Sequence, residues 1–236
     1  MVKVLSYNIR HGAGLDGRID LERIAEVIRR ANPDLVALQE VDQCCERSGN
    51  QDTPALLGQI LGMEHRFGRS LDFQGGEYGL AVLSRLPVTD TIPHTLPSAK
   101  EPRCALEVQV QAEAFESTLS FICIHNDYVS EEIRARQIRT LLASLRDRAH
   151  PTILAGDFNC EGADGSMKLL EEEGWTVLDK KAEKTFPADE PEKEIDFIVL
   201  RGFPEISVEH GVIDEKVASD HRPIYAVITH RDPVGQ

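Results

Sequence analysis

The chain has 236 residues, 41% of them hydrophobic, which suffices for one sizeable core and predicts a single domain over residues 1–236. Its formal charge of −14 argues against a protein that grips long polyanions, because duplex-binding surfaces are ordinarily basic enough to displace counterions. No apolar stretch approaches the roughly 20 residues of a membrane span, and a strand pattern already at Val2 leaves no room for a signal peptide, so the expectation is a soluble, cytoplasmic protein.

The first strand pattern runs from Val2 to Ile9 and carries Asn8 near its end. A loop with Gly12, Gly14 and Gly17 follows, and Asp20 is placed to cap a helix from about Leu21 to Arg30, in which Leu21, Ile24, Ala25 and Ile28 recur at i, i+3, i+4 and i+7. Asn32-Pro33 stops the helix, and Leu35 to Val41 reads as a strand with Glu40 near its end. Tyr78 to Pro87 and Arg103 to Val110 read as neighbouring strands joined by a Pro-containing segment, Pro87 to Pro102. Leu119 to Ile124 is the next strand, ending in His125-Asn126-Asp127. Ser130 then caps a helix with Ile138, Leu141, Leu142 and Leu145 on one face, and Thr152 to Ala155 leads into Gly156-Asp157-Phe158-Asn159. Ile195 to Leu200, containing Asp196, and Pro223 to Thr229, preceded by Asp220-His221, complete the strands.

Strand, loop, helix, strand therefore occurs twice, and the same 32-residue interval separates Asn8 from Glu40 and His125 from Asp157. This predicts an internal pseudo-repeat. Two such halves, packed sheet against sheet with helices outside, would gather the polar strand ends at one rim. Cysteines 44, 45, 104, 123 and 160 form no CxxC, and Cys104 and Cys123 lie in apolar runs. Buried free thiols are expected rather than a zinc site.

The strand-end residues match the needs of phosphoester hydrolysis: a cation for the charged oxygens, a group that orients or deprotonates water, and donors for the developing charge. A carboxylate such as Glu40 in an apolar strand is costly unless paired or bound to a cation, and its hard oxygens suit magnesium or manganese. Asn8 offers either an amide oxygen to a metal or an amide hydrogen to phosphate. Asp157 and Asn159, two residues apart at a strand end, read as a water-activating pair, although an Asx turn gives the same pattern. Asp196 is suited to fix the tautomer of His221 and raise its basicity. His125 has a similar capacity, with Glu77 as its weakly supported partner. Arg103 reads either as a phosphate clamp or as part of a surface salt bridge. His11, on the glycine-rich loop, lies near enough in sequence to Asn8 to help define a pocket; the other histidines show no partner pattern.

The ordered set Tyr7-Asn8-Ile9, Leu38-Gln39-Glu40-Val41, Tyr78-Gly79 through Ser84-Arg85, His125, Gly156-Asp157-Phe158-Asn159, Ile195-Asp196-Phe197 and Ser219-Asp220-His221 resembles the endonuclease/exonuclease/phosphatase superfamily over almost the whole chain. The resemblance implies a four-layered α/β sandwich, two packed mixed β-sheets flanked by helices. It implies Mg2+, for which Mn2+ substitutes, held by Glu40 with Asn8 and Asp220. It further implies Asp157 activating or orienting water, Asn159 holding water or phosphate, Asp196 and His221 stabilising the pentavalent state, and His125 and Arg103 completing the phosphate pocket. Whether Asp157 or His221 accepts the proton stays open. Asn126 departs from the hydrophobic residue found there in many relatives. The chain has no obvious basic, aromatic-rich DNA wedge and no membrane-inserting loop. With the acidic balance, these absences favour a phosphodiesterase for a small or lipid-derived substrate. The alternatives are an endonuclease or exonuclease on nucleic-acid ends, or a non-catalytic phosphate-binding protein.

Overall fold

Two strand–helix–strand units, each held by a capped amphipathic helix, organise the chain. In the first, β1 (Val2–Asn8), α1 (Leu21–Ala31) and β2 (Leu35–Gln43) follow in order. Asp20 accepts a hydrogen bond from the Arg23 amide at the start of α1, and Asn32, in the left-handed region at φ 48°, ends it. The apolar stripe of α1 buries Ile24, Ala25, Val27, Ile28 and Ala31. Full burial of each isoleucine stabilises the fold by about 1.5–3 kcal/mol. The second unit repeats this with β7 (Ser117–His125), α3 (Glu131–Ser144), whose cap Ser130 accepts from the Ile133 amide, and β8 (Thr152–Asp157). In each unit the two strands pair in parallel. His125 sits directly opposite Asp157, whereas Asn8 faces Gln39 and Glu40 lies one residue beyond. The computed structural model describes residues 1–115, 117–181 and 183–231.

The remaining elements extend the parallel with the first half. After β2 come α2 (Thr53–Leu61), β3 (Glu64–Phe73), β4 (Gly76–Ser84), β5 (Val88–Leu96) and β6 (Arg103–Ala112). After β8 come α4 (Gly165–Glu172), β9 (Thr176–Val177), β10 (Asp196–Arg201), β11 (Ile206–Val212) and β12 (Ile224–His230). The sheets have strand orders β11-β12-β1-β2-β4-β3 and β5-β6-β7-β8-β10-β9. The closing hairpin of each half has therefore crossed over: β5–β6 lies beside β7, and β11–β12 lies beside β1.

Three apolar clusters match the layers. One fills the space between the sheets, with Val4, Leu106, Phe121, Ile153 and Ile228 among its members. A second joins the first sheet to α1 and α2, and a third joins the second sheet to α3 and α4. This is the expected four-layered α/β sandwich of two mixed sheets. One sequence expectation is corrected: β4 and β6 are not paired strands. They belong to opposite sheets, and the Pro87 to Pro102 segment holds an extra strand, β5, hydrogen-bonded to β6. Cys45, Cys104, Cys123 and Cys160 are buried free thiols, while Cys44 is exposed. Among the described residues no helix is long and apolar enough to cross a membrane.

Candidate active site

The C-terminal ends of β1, β2, β7 and β8 meet the start of β10 and the loop before β12 at one rim, around a cleft of about 660 Å³. Glu40, Arg103, His125, Asp157, Asn159, Asp220 and His221 line it. Asn8 and Asp196 stand behind this lining, both almost wholly buried.

Two features of the backbone aim the carboxylates. The pairing of β2 with β4 slips between Leu38 and Val41, and Glu40 sits in that bulge at φ 55°, a left-handed conformation that breaks the strand alternation and turns the side chain into the cleft. In β8, Gly156 precedes Asp157 because no side chain fits: a Cβ there would stand 1.9 Å from the carbonyl oxygen of Ile124 on β7. Asn159 is also left-handed, at φ 51°, so the turn after β8 folds back and its amide donates to Asp157 Oδ1 at 2.8 Å. The Asx turn weighed in the sequence is thus present, within the same site. The Asn159 side-chain amide donates to the Asn126 carbonyl at 3.0 Å.

Asp157 is the hub. Its Oδ2 accepts from Asn8 Nδ2 at 3.1 Å and faces His125 Nε2 at 3.5 Å and His221 Nε2 at 3.7 Å. Burial raises its carboxyl to about 7, held from going higher by His221 and by the donors on Asn159 and Asn8. On the far side of His221, Nδ1 bonds Asp196 Oδ2 at 2.9 Å. Burial opposes a charge on this imidazole, but Asp196 and Asp157 outweigh it and raise its pKa to about 10. His221 is therefore an imidazolium at neutral pH, packed against the Phe186 ring at 4.8 Å. Asp196 is anchored through its own carbonyl, which accepts from the buried Lys180 Nζ at 2.8 Å; Glu194 neutralises that ammonium at 2.8 Å.

His125 differs. Arg103 Nη1 lies 3.0 Å from its Nδ1, and since a guanidinium only donates, Nδ1 accepts and the proton sits on Nε2, toward Asp157. Burial and the Arg103 charge push its pKa well below the ordinary value, so the ring is neutral. Glu77 is not its partner: it pairs with Arg69 at 3.3 Å. Arg103 is itself buried, and it also forms a salt bridge with the half-exposed Glu101, whose Oε1 lies 3.0 Å from the same Nη1.

Two groups of residues offer ligand atoms of the kind a divalent cation takes. Asp157, Asp196 and His221 bring ligand atoms within 4.8 Å of one another, but His221 Nδ1 is already engaged by Asp196 at 2.9 Å and its Nε2 faces Asp157 at 3.7 Å as an ion pair. Glu40 and Asp220 form the second group. Burial raises the Glu40 carboxyl and the Asp220 charge raises it further, a repulsion that a bound cation would relieve; Asn8 Nδ2 holds Glu40 Oε1 at 3.1 Å. Asn8 Oδ1 accepts from the Arg10 amide at 3.1 Å, so Asn8 bridges Glu40 and Asp157 through its nitrogen. This all-oxygen carboxylate pair fits magnesium or manganese. His11 lies outside the cleft lining, in a short 3-10 turn (Arg10–Gly12), where burial and the charge of Arg47 lower its pKa.

Sequence reasoning did not single out Arg47, Phe73 or Lys193 as cleft residues, nor Lys180 as the anchor of Asp196. None stands at the end of an apolar strand, the signal that marked the others.

A family model for the Endonuclease/Exonuclease/phosphatase family matches residues 5–221. The uncharacterized protein YbhP of Escherichia coli K12 is 24% identical over 214 residues, 84% of each chain. A functionally unknown conserved protein from Enterococcus faecalis V583 superposes with a TM-score of 0.80 at 23% identity, covering 97% of this chain and 100% of that one. The mannosyl-6-phosphatase Bt3783 of Bacteroides thetaiotaomicron VPI-5482 superposes with a TM-score of 0.76 at 18% identity, covering 97% and 100%.

Proposed function

Because the chain belongs to the endonuclease/exonuclease/phosphatase family, we propose that it is a divalent-metal-dependent phosphoester hydrolase acting on a small or lipid-derived phosphodiester by in-line attack of water. The observation that carries this reading is the pair Asp157 and His221, with Asp157 Oδ2 and His221 Nε2 3.7 Å apart in the cleft and both groups made more basic than usual, so that the carboxyl comes near neutrality while the imidazole stays protonated above it. A buried carboxyl near 7 and an imidazolium near 10 divide the work of base and acid at neutral pH. Asp157 takes the proton from water, and Asn159 keeps its carboxylate oriented. His221, fixed by Asp196, donates a hydrogen bond to a phosphoryl oxygen as charge builds there. Neutral His125 presents Nε2–H beside it, with Arg103 holding the tautomer. Glu40 and Asp220 would hold Mg2+, with Mn2+ as a substitute, and the ion would neutralise phosphate oxygens as a Lewis acid. The charge of −14 favours a compact ligand over a polynucleotide.

The test is hydrolysis by purified protein, with magnesium and with chelator, over oligonucleotides, phospholipids, inositol phosphates and a chromogenic diester. Phosphomonoesters belong in the panel because the similar Bacteroides protein is named a phosphatase. Chelator-sensitive turnover of a small or lipid-derived diester, reduced about 10²- to 10⁴-fold by Asp157→Asn, is expected. Preference for oligonucleotides would replace this reading by a nuclease. Tight phosphate binding with no turnover would leave a non-catalytic binder.

A further inference from the structure

The cleft has a second pole that the hydrolytic chemistry does not use. Four residues beyond β2, Arg47 turns back and places its guanidinium against Asp42, with Nε 2.8 Å from Oδ2 and Nη2 2.7 Å from Oδ1. Asp42 is fully buried, so this fork cannot swing away without stranding a carboxylate in the core. The guanidinium also lies 4.5 Å from the ring centre of Phe73 and 5.5 Å from that of Tyr78, and the Arg47 amide donates to Gln74 Oε1 at 3.0 Å. Both its backbone and its plane are fixed before any ligand arrives. Among the described residues, Nη1 has no hydrogen-bond partner, and Arg47 lines the cleft together with Glu40.

A cation whose one edge is satisfied by a buried carboxylate and whose other edge is left free beside a hydrolytic centre is built to receive an oxyanion. A cleft of about 660 Å³ has room for a compact molecule that reaches both poles. We propose that Arg47 forms an anion subsite, selecting phosphoesters that carry a second phosphate or carboxylate on the group bonded to the scissile phosphorus. This rests on the phosphoester reading above and narrows its substrate class to doubly anionic small molecules.

The experiment measures binding without turnover, in magnesium buffer, by calorimetry. The ligands are the α,ω-bisphosphonates of propane, butane and hexane and the matching alkylmonophosphonates, whose C–P bonds resist hydrolysis. The wild-type protein is expected to bind at least one bisphosphonate tenfold or more tighter than its monophosphonate. In Arg47→Met/Asp42→Asn, which removes the cation together with the carboxylate it would strand, that ratio should fall toward one. No bisphosphonate preference in the wild type, or a preference that survives in the double variant, overturns the subsite. Hydrolysis of the ester panel is scored separately, so a preference that collapses as expected in a protein without turnover would keep the subsite and remove the hydrolase.

Discussion

Replacing Asp196 by Asn tests the acid half of the site with little change of shape. Among the described residues Asp196 alone hydrogen-bonds His221 Nδ1, at 2.9 Å, and it is foremost among the charges that raise the imidazole from 6.5 to about 10. That rise is worth about 5 kcal/mol in favour of the imidazolium, after burial has acted against it. With an amide in place of the carboxylate, burial is opposed mainly by Asp157, and the pKa should fall back toward the ordinary histidine value. The sign is fixed by the raised folded value. The stability that protonated His221 contributes is complete below pH 6.5 and lost as the pH climbs through about 10, and the variant should lose it at lower pH. Nitrogen-detected NMR of the imidazole ring gives the direct reading: at pH 8 the wild-type ring should be doubly protonated and the variant ring largely neutral. Turnover at neutral pH should drop about 10²- to 10⁴-fold, the range typical of losing an acid or its orienting carboxylate. A ring still cationic at pH 8 in Asp196→Asn would refute the assignment, because the charge would then have another source.

Glu40→Gln removes a charge from the carboxylate pair, and the magnesium concentration for half-maximal activity should rise at least tenfold; the same half-maximal concentration would take Glu40 out of the metal site. Glu107, on β6, tests a structural ion network. Burial would raise its carboxyl, but His94 at 2.8 Å, Ser120 at 2.7 Å and Arg148 at 3.1 Å hold it down at about 2. This contributes about 3 kcal/mol at neutral pH, complete above pH 4.5 and lost as the pH falls through about 2. Denaturant melts of Glu107→Gln should show a deficit of that order at pH 7 that narrows toward pH 3, and a deficit independent of pH would contradict the assignment. Gly156→Ala forces a methyl against the Ile124 carbonyl and should cost about 1–3 kcal/mol in a urea melt while displacing Asp157; wild-type stability would mean that the strands separate more readily than their packing implies.

The interior of the fold was legible and its margins were not. The strands β1, β2, β7 and β8 are central and read as continuous apolar runs, and α1 and α3 announce themselves by caps and periodicity. By contrast β3, β5, β9 and β11 all lie at sheet edges. The first, Glu-His-Arg-Phe-Gly-Arg-Ser-Leu-Asp-Phe, is polar and half-exposed, and β5 carries Pro93, which an edge tolerates because an unpaired amide is no loss there. The rim residues were legible for the same reason as the interior, since a polar group ending a buried strand is conspicuous. Arg47 was not. Its importance comes from the tertiary meeting of a 3-10 turn with the β3–β4 hairpin, which no local pattern encodes.

The crossed hairpins order events as the chain is made. β1 emerges first, but its outer neighbour is β12, and Val2 pairs with Ile228. At roughly 5–20 residues per second the interval is on the order of tens of seconds. Until then one flank of β1 carries unpaired amides and carbonyls, an invitation to other nascent chains. Asp220 and His221 shortly precede that last hairpin strand, so the strand that seals the sheet also brings the imidazole and the second carboxylate to the cleft. On the function proposed above, the cleft is complete only when the exposed edge has gone, and a ribosome that stops short leaves a chain with an open sheet edge and an unfinished cleft.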